Sequence, residues 1–442
     1  MTQHAAASCN QHLAQNYRLR HRVVTVATAA MLWLGIASAA FAITVIEFYN
    51  NILDHYFITA DANEAAAIDS GSAGPGWTRT GDTFNVGGSS PVCRFYGSQS
   101  PGPNSHFYTV SASECAQLKQ LQATTPAIQK RWNFESLDFV TTTPANGVCP
   151  SGTEPVYRAY NNGFARGVDS NHRITPNPAS IQQVVNRGWI SEGVVMCGAT
   201  AASVAAIAQF WQQAAGVWVA TQGGQAAPVV FRFNLSGGYT MGYWGAASTA
   251  DGTKPGLERG TIAYDPLTGH FTGIVSQDTN GTAGLSNPSP AELLQTIAIV
   301  GADLVVRQPD GTEVNRLQRV ANNPGSIVGA WALDTVSDLR AQIFVFFADG
   351  RYLMIDPVGD TEPTRCGGPG IEYGTYTWAG ASGTLTITGV SIDTNGCAGL
   401  NDATKVPGNL FQGVQSISGI TLAADGSTLT ADATTVLFRV SQ

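Results

Sequence analysis

Between residues 45 and 197 the apolar and polar positions write one pattern three times, and the order of its landmarks never changes. The first copy runs Val45-x-Glu47-Phe48-Tyr49-Asn50, then Asp54-His55-Tyr56-Phe57-Ile58-Thr59, then Glu64, then Gly76-Trp77-x-x-Thr80-Gly81-x-x-Phe84. The second runs Val92-x-Arg94-Phe95-Tyr96-Gly97, Ser105-His106-Phe107-Tyr108-Thr109, Glu114, and Trp132-x-x-Glu135-x-x-x-Phe139. The third has Val156-x-Arg158-x-Tyr160-Asn161, Asn171-His172-Arg173-Ile174-Thr175, and Gly188-Trp189-x-x-Glu192-Gly193-x-x-Met196. Each copy predicts a short strand, a second strand entered through His, a short helix, and a last strand begun by Trp. The helix N-caps fall at Thr59, the Ser111 region and Thr175. One such unit cannot bury its own apolar face. Three arranged about a pseudo-threefold axis can, with Trp77, Trp132 and Trp189 as equivalent core wedges.

Beyond Cys197 the pattern changes. Residues 199–215 are Ala-rich, with Ile207, Phe210 and Trp211 at helical spacing, which predicts a linker helix docked on the next domain. A second duplication then begins. Gly216-Val217-Trp218 returns as Gly329-Ala330-Trp331, Pro255-Gly256-Leu257-Glu258 as Pro369-Gly370-Ile371-Glu372, and Arg319-Val320 as Arg439-Val440. Asp278-Thr279-Asn280-Gly281 likewise returns as Asp393-Thr394-Asn395-Gly396, and Trp to Glu spans 40 residues in one copy and 41 in the other. Strands separated by Gly, Asn and Asp turns predict antiparallel sheets closed into barrels, because closure removes exposed edges. The predicted architecture is mainly β with short helices: a pseudo-threefold α+β repeat domain over 43–198, then two tandem antiparallel β-barrels over 216–321 and 326–442.

The Tyr-Asn, His-Phe-Tyr-Thr and Gly-Trp-x-x-Glu-Gly strings of the first module resemble the bacterial repeat family DUF5648. That resemblance implies an accessory domain of secreted proteins, sometimes attached to hydrolases, and names no ligand. Copy one departs from the pattern by an extra residue between His55 and Thr59 and by Thr80 in place of Glu. In the second module a G-x-W on the first strand with an Arg on the last resembles the lipocalin (calycin) signature. The resemblance implies Trp218 against Arg319 and Trp331 against Arg439 at the closed end of each barrel, and a cup for a small apolar ligand. Small barrels are also filled by their own side chains, so filled and hollow both stay open.

Arg18, Arg20 and Arg22 precede an apolar run from Val23 to about Ala37 and then Ala40-Phe41-Ala42, the layout of a secretory signal peptide over residues 1–42. Removing it takes away three arginines and no acid, moving the formal charge from -8 to -11. An acidic surface argues against nucleic acid or anionic lipid as partner, and no later stretch predicts an integral membrane segment. With Cys9 in the leader, Cys93, Cys115, Cys149, Cys197, Cys366 and Cys397 remain, an even number that suits disulfides in an oxidising compartment. Cys366 most simply pairs with Cys397. Nearest-neighbour pairing gives Cys93 with Cys115 and Cys149 with Cys197, among three possible connectivities.

Four histidines remain after the leader, and three of them, His55, His106 and His172, are assigned to one motif position. Fixing a strand entry through backbone carbonyls or the repeat's own Glu is one role for them. Another is a shallow sugar pocket made with Tyr and Trp: Tyr49, His55 and Trp77; Tyr96, His106 and Trp132; Tyr160, His172 and Trp189. A trigonal His metal site is a third reading, but no cofactor or metal is assigned. Asp278-Thr279-Asn280-Gly281 and its copy read as tight hairpin turns rather than half of a calcium loop. Glu258 and Glu372, if buried, need partners, with Arg232 and the barrel-floor arginines as candidates. Every acid and base of interest recurs in each repeat, whereas a catalytic site is normally asymmetric. The expectation is a secreted, periplasmic or cell-surface binding protein, its triple repeat gripping glycan or cell-envelope polymer and its barrels serving as stalk, adhesin or small-ligand cup. The alternatives are a hydrolase using His172 with Glu192, or a purely structural surface protein. Cleavage after Ala42 predicts a mature chain beginning at Ile43, which the intact mass of exported protein checks; a retained leader contradicts it.

Overall fold

The structure, a computed structural model, describes residues 43–222, 225–286, 288, 292–333, 339–358, 368–396, 400, 416–431 and 435–440. The expected signal peptide and the expected Cys366–Cys397 pairing lie outside these described residues. The chain is mainly β. In the first copy β1 (Thr44–Asn50) lies between β2 (His55–Thr59) and β3 (Trp77–Asn85), with the helix Ala62–Asp69 joining the two outer strands. The second copy sets β4 (Ser90–Tyr96) between β5 (His106–Thr109) and β6 (Asn133–Thr141), with the helix Ala112–Thr124. The third sets β7 (Thr153–Tyr160) between β8 (His172–Thr175) and β9 (Ile190–Ala199), with the helix Pro178–Val185.

The second helix is capped by Ser111 as expected, whereas the first and third caps lie two residues beyond the expected threonines, at Asp61 and Asn177. Thr59, Thr109 and Thr175 end their strands instead. Each hydroxyl accepts the backbone N–H of the cap residue at 3.0 to 3.1 Å, so threonine shapes the turn and leaves capping to the next side chain. Two disulfides brace the module, Cys93–Cys115 tying β4 to its helix and Cys149–Cys197 tying the entry of β7 to β9.

The three copies close head to tail. Val45, Val92 and Val156 from the middle strands, with Phe84, Phe139 and Met196 from the last ones, form the shared core. Trp77, Trp132 and Trp189 occupy equivalent places but not the axis. Trp77 and Trp132 pack against Phe57 and Phe107 of their own copies. Trp189 wedges against Ile181, Val184 and the edge of Tyr56.

Two of the three junctions are built alike. Arg94 of copy two lies 5.2 Å over Phe57 of copy one, and Arg158 of copy three 4.8 Å over Phe107 of copy two. Each Arg is held by its own repeat's glutamate, Glu135 at 2.8 Å and Glu192 at 2.6 Å. At the third junction the chemistry is exchanged. Glu47 stands where the arginines stand, Arg173 stands where the phenylalanines stand, and the two pair at 3.0 Å while only 2% and 4% exposed. Thr80 replaces the partner glutamate, since Glu47 would repel one. Burial pushes the Glu47 carboxyl above its usual range despite Arg173, the desolvation cost of an ion pair inside the fold.

The remaining chain forms two curled antiparallel sheets. The first comprises β10 (Gly216–Gln222), β11 (Gln225–Phe233), β12 (Gly238–Tyr243), β13 (Gly256–Tyr264), β14 (Phe271–Asp278), β15 (Thr296–Val300), β16 (Asp303–Arg307) and β17 (Glu313–Arg319). Successive strands pair except across the seam from β14 to β15, and β17 returns to β10. The seam is drawn together at one end by a bridge between His270 and Thr296. The second comprises β18 (Gly329–Ala332), β19 (Ile343–Phe346), β20 (Arg351–Asp356), β21 (Gly370–Ala379), β22 (Thr384–Asp393), β23 (Ser416–Ile417), β24 (Thr421–Leu422), β25 (Thr428–Thr430) and β26 (Val436–Arg439). Here β26 returns to β18 and the seam runs between β23 and β24.

In each sheet the first-strand Trp and last-strand Arg meet, with Arg319 4.2 Å over Trp218 and Arg439 4.0 Å over Trp331. Each indole N–H donates to the carbonyl four residues earlier, Ala214 and Ile327. The guanidinium groups donate to carbonyls of the same incoming segments, including Ala215 and Val328. The helix Ala201–Ala214 closes this end of the first sheet, with Phe210 stacked 3.9 Å from Tyr264 and Trp211 against Phe233. The two sheets also share an apolar interface, in which Val217, Val230 and Leu257 pack with Val345, Leu353 and Ile355, and Trp244 stacks on Tyr373 at 5.1 Å. That packing explains why β18 to β20 are buried almost without alternation.

The exchanged junction predicts a particular coupling. Arg173→Ala alone should cost about 3 to 5 kcal/mol by stranding the buried Glu47 carboxylate, and Glu47→Ala less, because Asp82 still pairs with Arg173. The double variant Glu47→Arg, Arg173→Phe, which copies the other two junctions, should recover most of what Glu47→Arg alone loses; denaturant unfolding measures each, and strict additivity would contradict the coupling.

Candidate ligand site

Strand register corrects the assignment of the three histidines. Tyr96 pairs with His106 and Tyr160 with His172, but Tyr49 pairs with Tyr56, and His55 pairs with Asn50. The extra residue of copy one lies on the turn side, so Tyr56 takes the place of the motif histidine. His55 is equivalent instead to Ser105 and Asn171, all three buried. The Asn171 amide bridges the copies there, bonding the Tyr56 N–H and carbonyl and the Ser105 hydroxyl. Burial pushes the His55 imidazole down from its usual range. Three histidines therefore do not converge on the axis, and the described residues contain no cluster of three ligating side chains.

At the motif position the rings stack in pairs, Tyr96 on His106 at 4.7 Å and Tyr160 on His172 at 4.8 Å, with Tyr49 tilted on Tyr56 at 4.7 Å. Trp132 meets Phe107, the residue after His106, and successive strand residues face opposite ways. A single repeat thus brings Tyr and His together but sends its Trp to the other face of the sheet. Phe57 and Phe107 press edge-on against His106 and His172 of the following copy, making each His part of a junction.

His172 Nε2 and Glu192 stand 3.9 Å apart, close enough for the acid/base pairing that a hydrolase would need. Their surroundings commit them elsewhere. Arg158 holds Glu192, and burial together with that guanidinium pushes His172 down to about 3. A neutral imidazole with so low a pKa is a poor general base near neutrality.

The Asp278 turn forms, but it joins no hairpin. Asp278 Oδ1 accepts the N–H groups of Asn280 and Gly281 at 2.8 and 3.1 Å, and Thr279 folds the chain back onto Leu257. The following segment then rises over β13. Its backbone reaches Glu258, which is fully buried: Tyr239 donates at 2.5 Å, and the N–H groups of Leu285 and Ser286 donate at 2.9 Å. Tyr352 and the Leu400 N–H do the same for Glu372. A tyrosine and backbone N–H groups thus reach both carboxylates, while the candidate barrel-floor arginines, Arg319 and Arg439, donate to main-chain carbonyls instead. The duplication supplied the signal, because each Glu travels with a Tyr and an Ala-Gly-Leu segment in both copies.

That held segment lines a cavity of about 280 Å³ inside the first curled sheet. Its walls are mostly apolar, with Phe231, Met241, Phe271, Leu285, Ile297 and Leu317 among them, and Ala220 on the floor strand. Phe231 and Phe233, at alternate positions of β11, both face this cavity.

Residues 44–199 match the family described as Domain of unknown function (DUF5648), with further matches over 12–125 and 119–222. Overlapping matches are what a repeating pattern gives when laid on the chain out of step by one copy. No curated protein and no solved structure matches, and none of these findings supports the lipocalin resemblance.

The His172 environment sets a pH dependence. An unfolded histidine takes up its proton near pH 6.5, while the folded one resists until about 3, so stability present above 6.5 is lost as pH falls through that window. His172→Gln should flatten the acid side of the stability profile by about one proton between pH 6.5 and 4, read from denaturant unfolding at several pH values. An unchanged slope would contradict the assignment.

Proposed function

We propose, from the premise that residues 44–199 form a DUF5648 domain, that this is an exported binding protein in which that domain is a braced platform and the first curled sheet carries a small apolar ligand. The observation that carries the reading is the 280 Å³ apolar cavity, lined by a segment that Glu258 holds in place. Burying an apolar molecule there gains the transfer free energy of its surface without new exposure of the protein. Two disulfides fit an oxidising, extracytoplasmic setting. The second sheet shares its outer face with the first and reads as support. A grip on glycan is a second reading, favoured by the partly exposed Tyr96–His106 stack beside Glu135.

Naphthalene is a suitable probe for the cavity. The full mature chain should take it up saturably, one per protein, in equilibrium dialysis, and Ala220→Leu should abolish the uptake by filling the floor. No saturable uptake by the folded wild-type chain would overturn the cavity reading.

A further inference from the structure

Resting on that reading, we infer that Gln295 is the polar anchor of the cavity, and that its ligand is a neutral, roughly bicyclic apolar molecule bearing one hydroxyl, carbonyl or amide group. Gln295 follows the short 3-10 turn Glu292–Leu294, leads into β15, and lines the cavity while only 7% exposed. Its backbone N–H is bonded to Glu292, but among the described residues its side-chain amide has no hydrogen-bond partner. Neither amide atom is sealed within the protein, so both are reached from the cavity, and an apolar ligand that covers them without bonding them costs free energy. A ligand carrying a donor or acceptor returns it.

The other polar lining groups are otherwise engaged or lie at the rim. The Thr272 hydroxyl donates to the Ser89 carbonyl, the Thr282 hydroxyl to that of Asp251, and Asn315 is exposed. Among the described residues no lysine, arginine or histidine lines the cavity, and the one charged lining residue is an acid, Glu292. Behind the wall stands a second carboxyl, Glu258, whose buried oxygens lie against Gly284. A carboxylate ligand would enter without a counter-charge and toward two acids, so fatty-acid-like anions are excluded while neutral heads are admitted. Size follows from volume. A cavity of about 150 Å³ holds one benzene ring, so 280 Å³ holds about eleven non-hydrogen atoms, close to two fused rings with one substituent.

The test compares three probes of one shape, naphthalene, 2-naphthol and 2-naphthoate, on the full mature chain and on its Gln295→Met variant by equilibrium dialysis. Wild type should bind 2-naphthol about tenfold more tightly than naphthalene, and 2-naphthoate more than about tenfold more weakly than 2-naphthol. Gln295→Met should keep naphthalene binding, which also certifies its fold, and lose the preference for naphthol. A naphthol preference that survives in Gln295→Met overturns the anchor. Naphthoate binding as tight as naphthol overturns the exclusion of anions. Either result leaves the cavity itself standing, whereas failure of all three probes on wild type removes the cavity reading and this inference with it.

Discussion

An arginine guanidinium laid on an aromatic ring closes both halves of this molecule. Arg94 on Phe57 and Arg158 on Phe107 join successive repeats, and Arg173 lies 4.4 Å over Tyr56 where the ring of repeats shuts. Arg319 on Trp218 and Arg439 on Trp331 shut the curled sheets. In each case the planar cation covers an apolar face while its N–H groups satisfy carboxylates or main-chain carbonyls that closure would otherwise strand. Aliphatic packing alone could not do both, and a lysine lacks the fork needed to bond several acceptors at once.

The same economy explains why the repeats have diverged. A ring of three identical junctions has no preferred starting point, and any copy could add a fourth. Exchanging charge and aromatic roles at the junction of Glu47 with Arg173 makes the first and third copies complementary to each other. The cost is a buried ion pair, tolerated because Asp82, Gln183 and the Ser180 carbonyl also take up the Arg173 N–H groups.

In the curled sheets the buried Glu258 plays a comparable part. A carboxylate offers several acceptor sites in a small volume, enough for a tyrosine and two adjacent main-chain N–H groups. It thereby fixes a segment without regular structure against β13, and that segment forms part of the cavity wall. Burial raises the Glu258 carboxyl pKa from its usual range, the expected cost of using a charge as a fastener in an apolar setting.

The sequence by itself determined the periodic facts: three copies of a strand, strand, helix, strand unit, two copies of a longer sheet unit, and the residue types at each junction. Those arise from local patterning, which survives in one dimension. Tertiary structure alone decided register, partnership and space. That Tyr56 rather than His55 answers to His106 depends on which side of a turn absorbs one extra residue, and both readings leave the same letters in the same order. That Glu258 meets Tyr239 and amides depends on a loop folding back, and that the first sheet is hollow depends on whether opposed side chains reach across its middle. Strand alternation names the residues facing inward, but the gap between them is set by the curl of the sheet, a property of all its strands together.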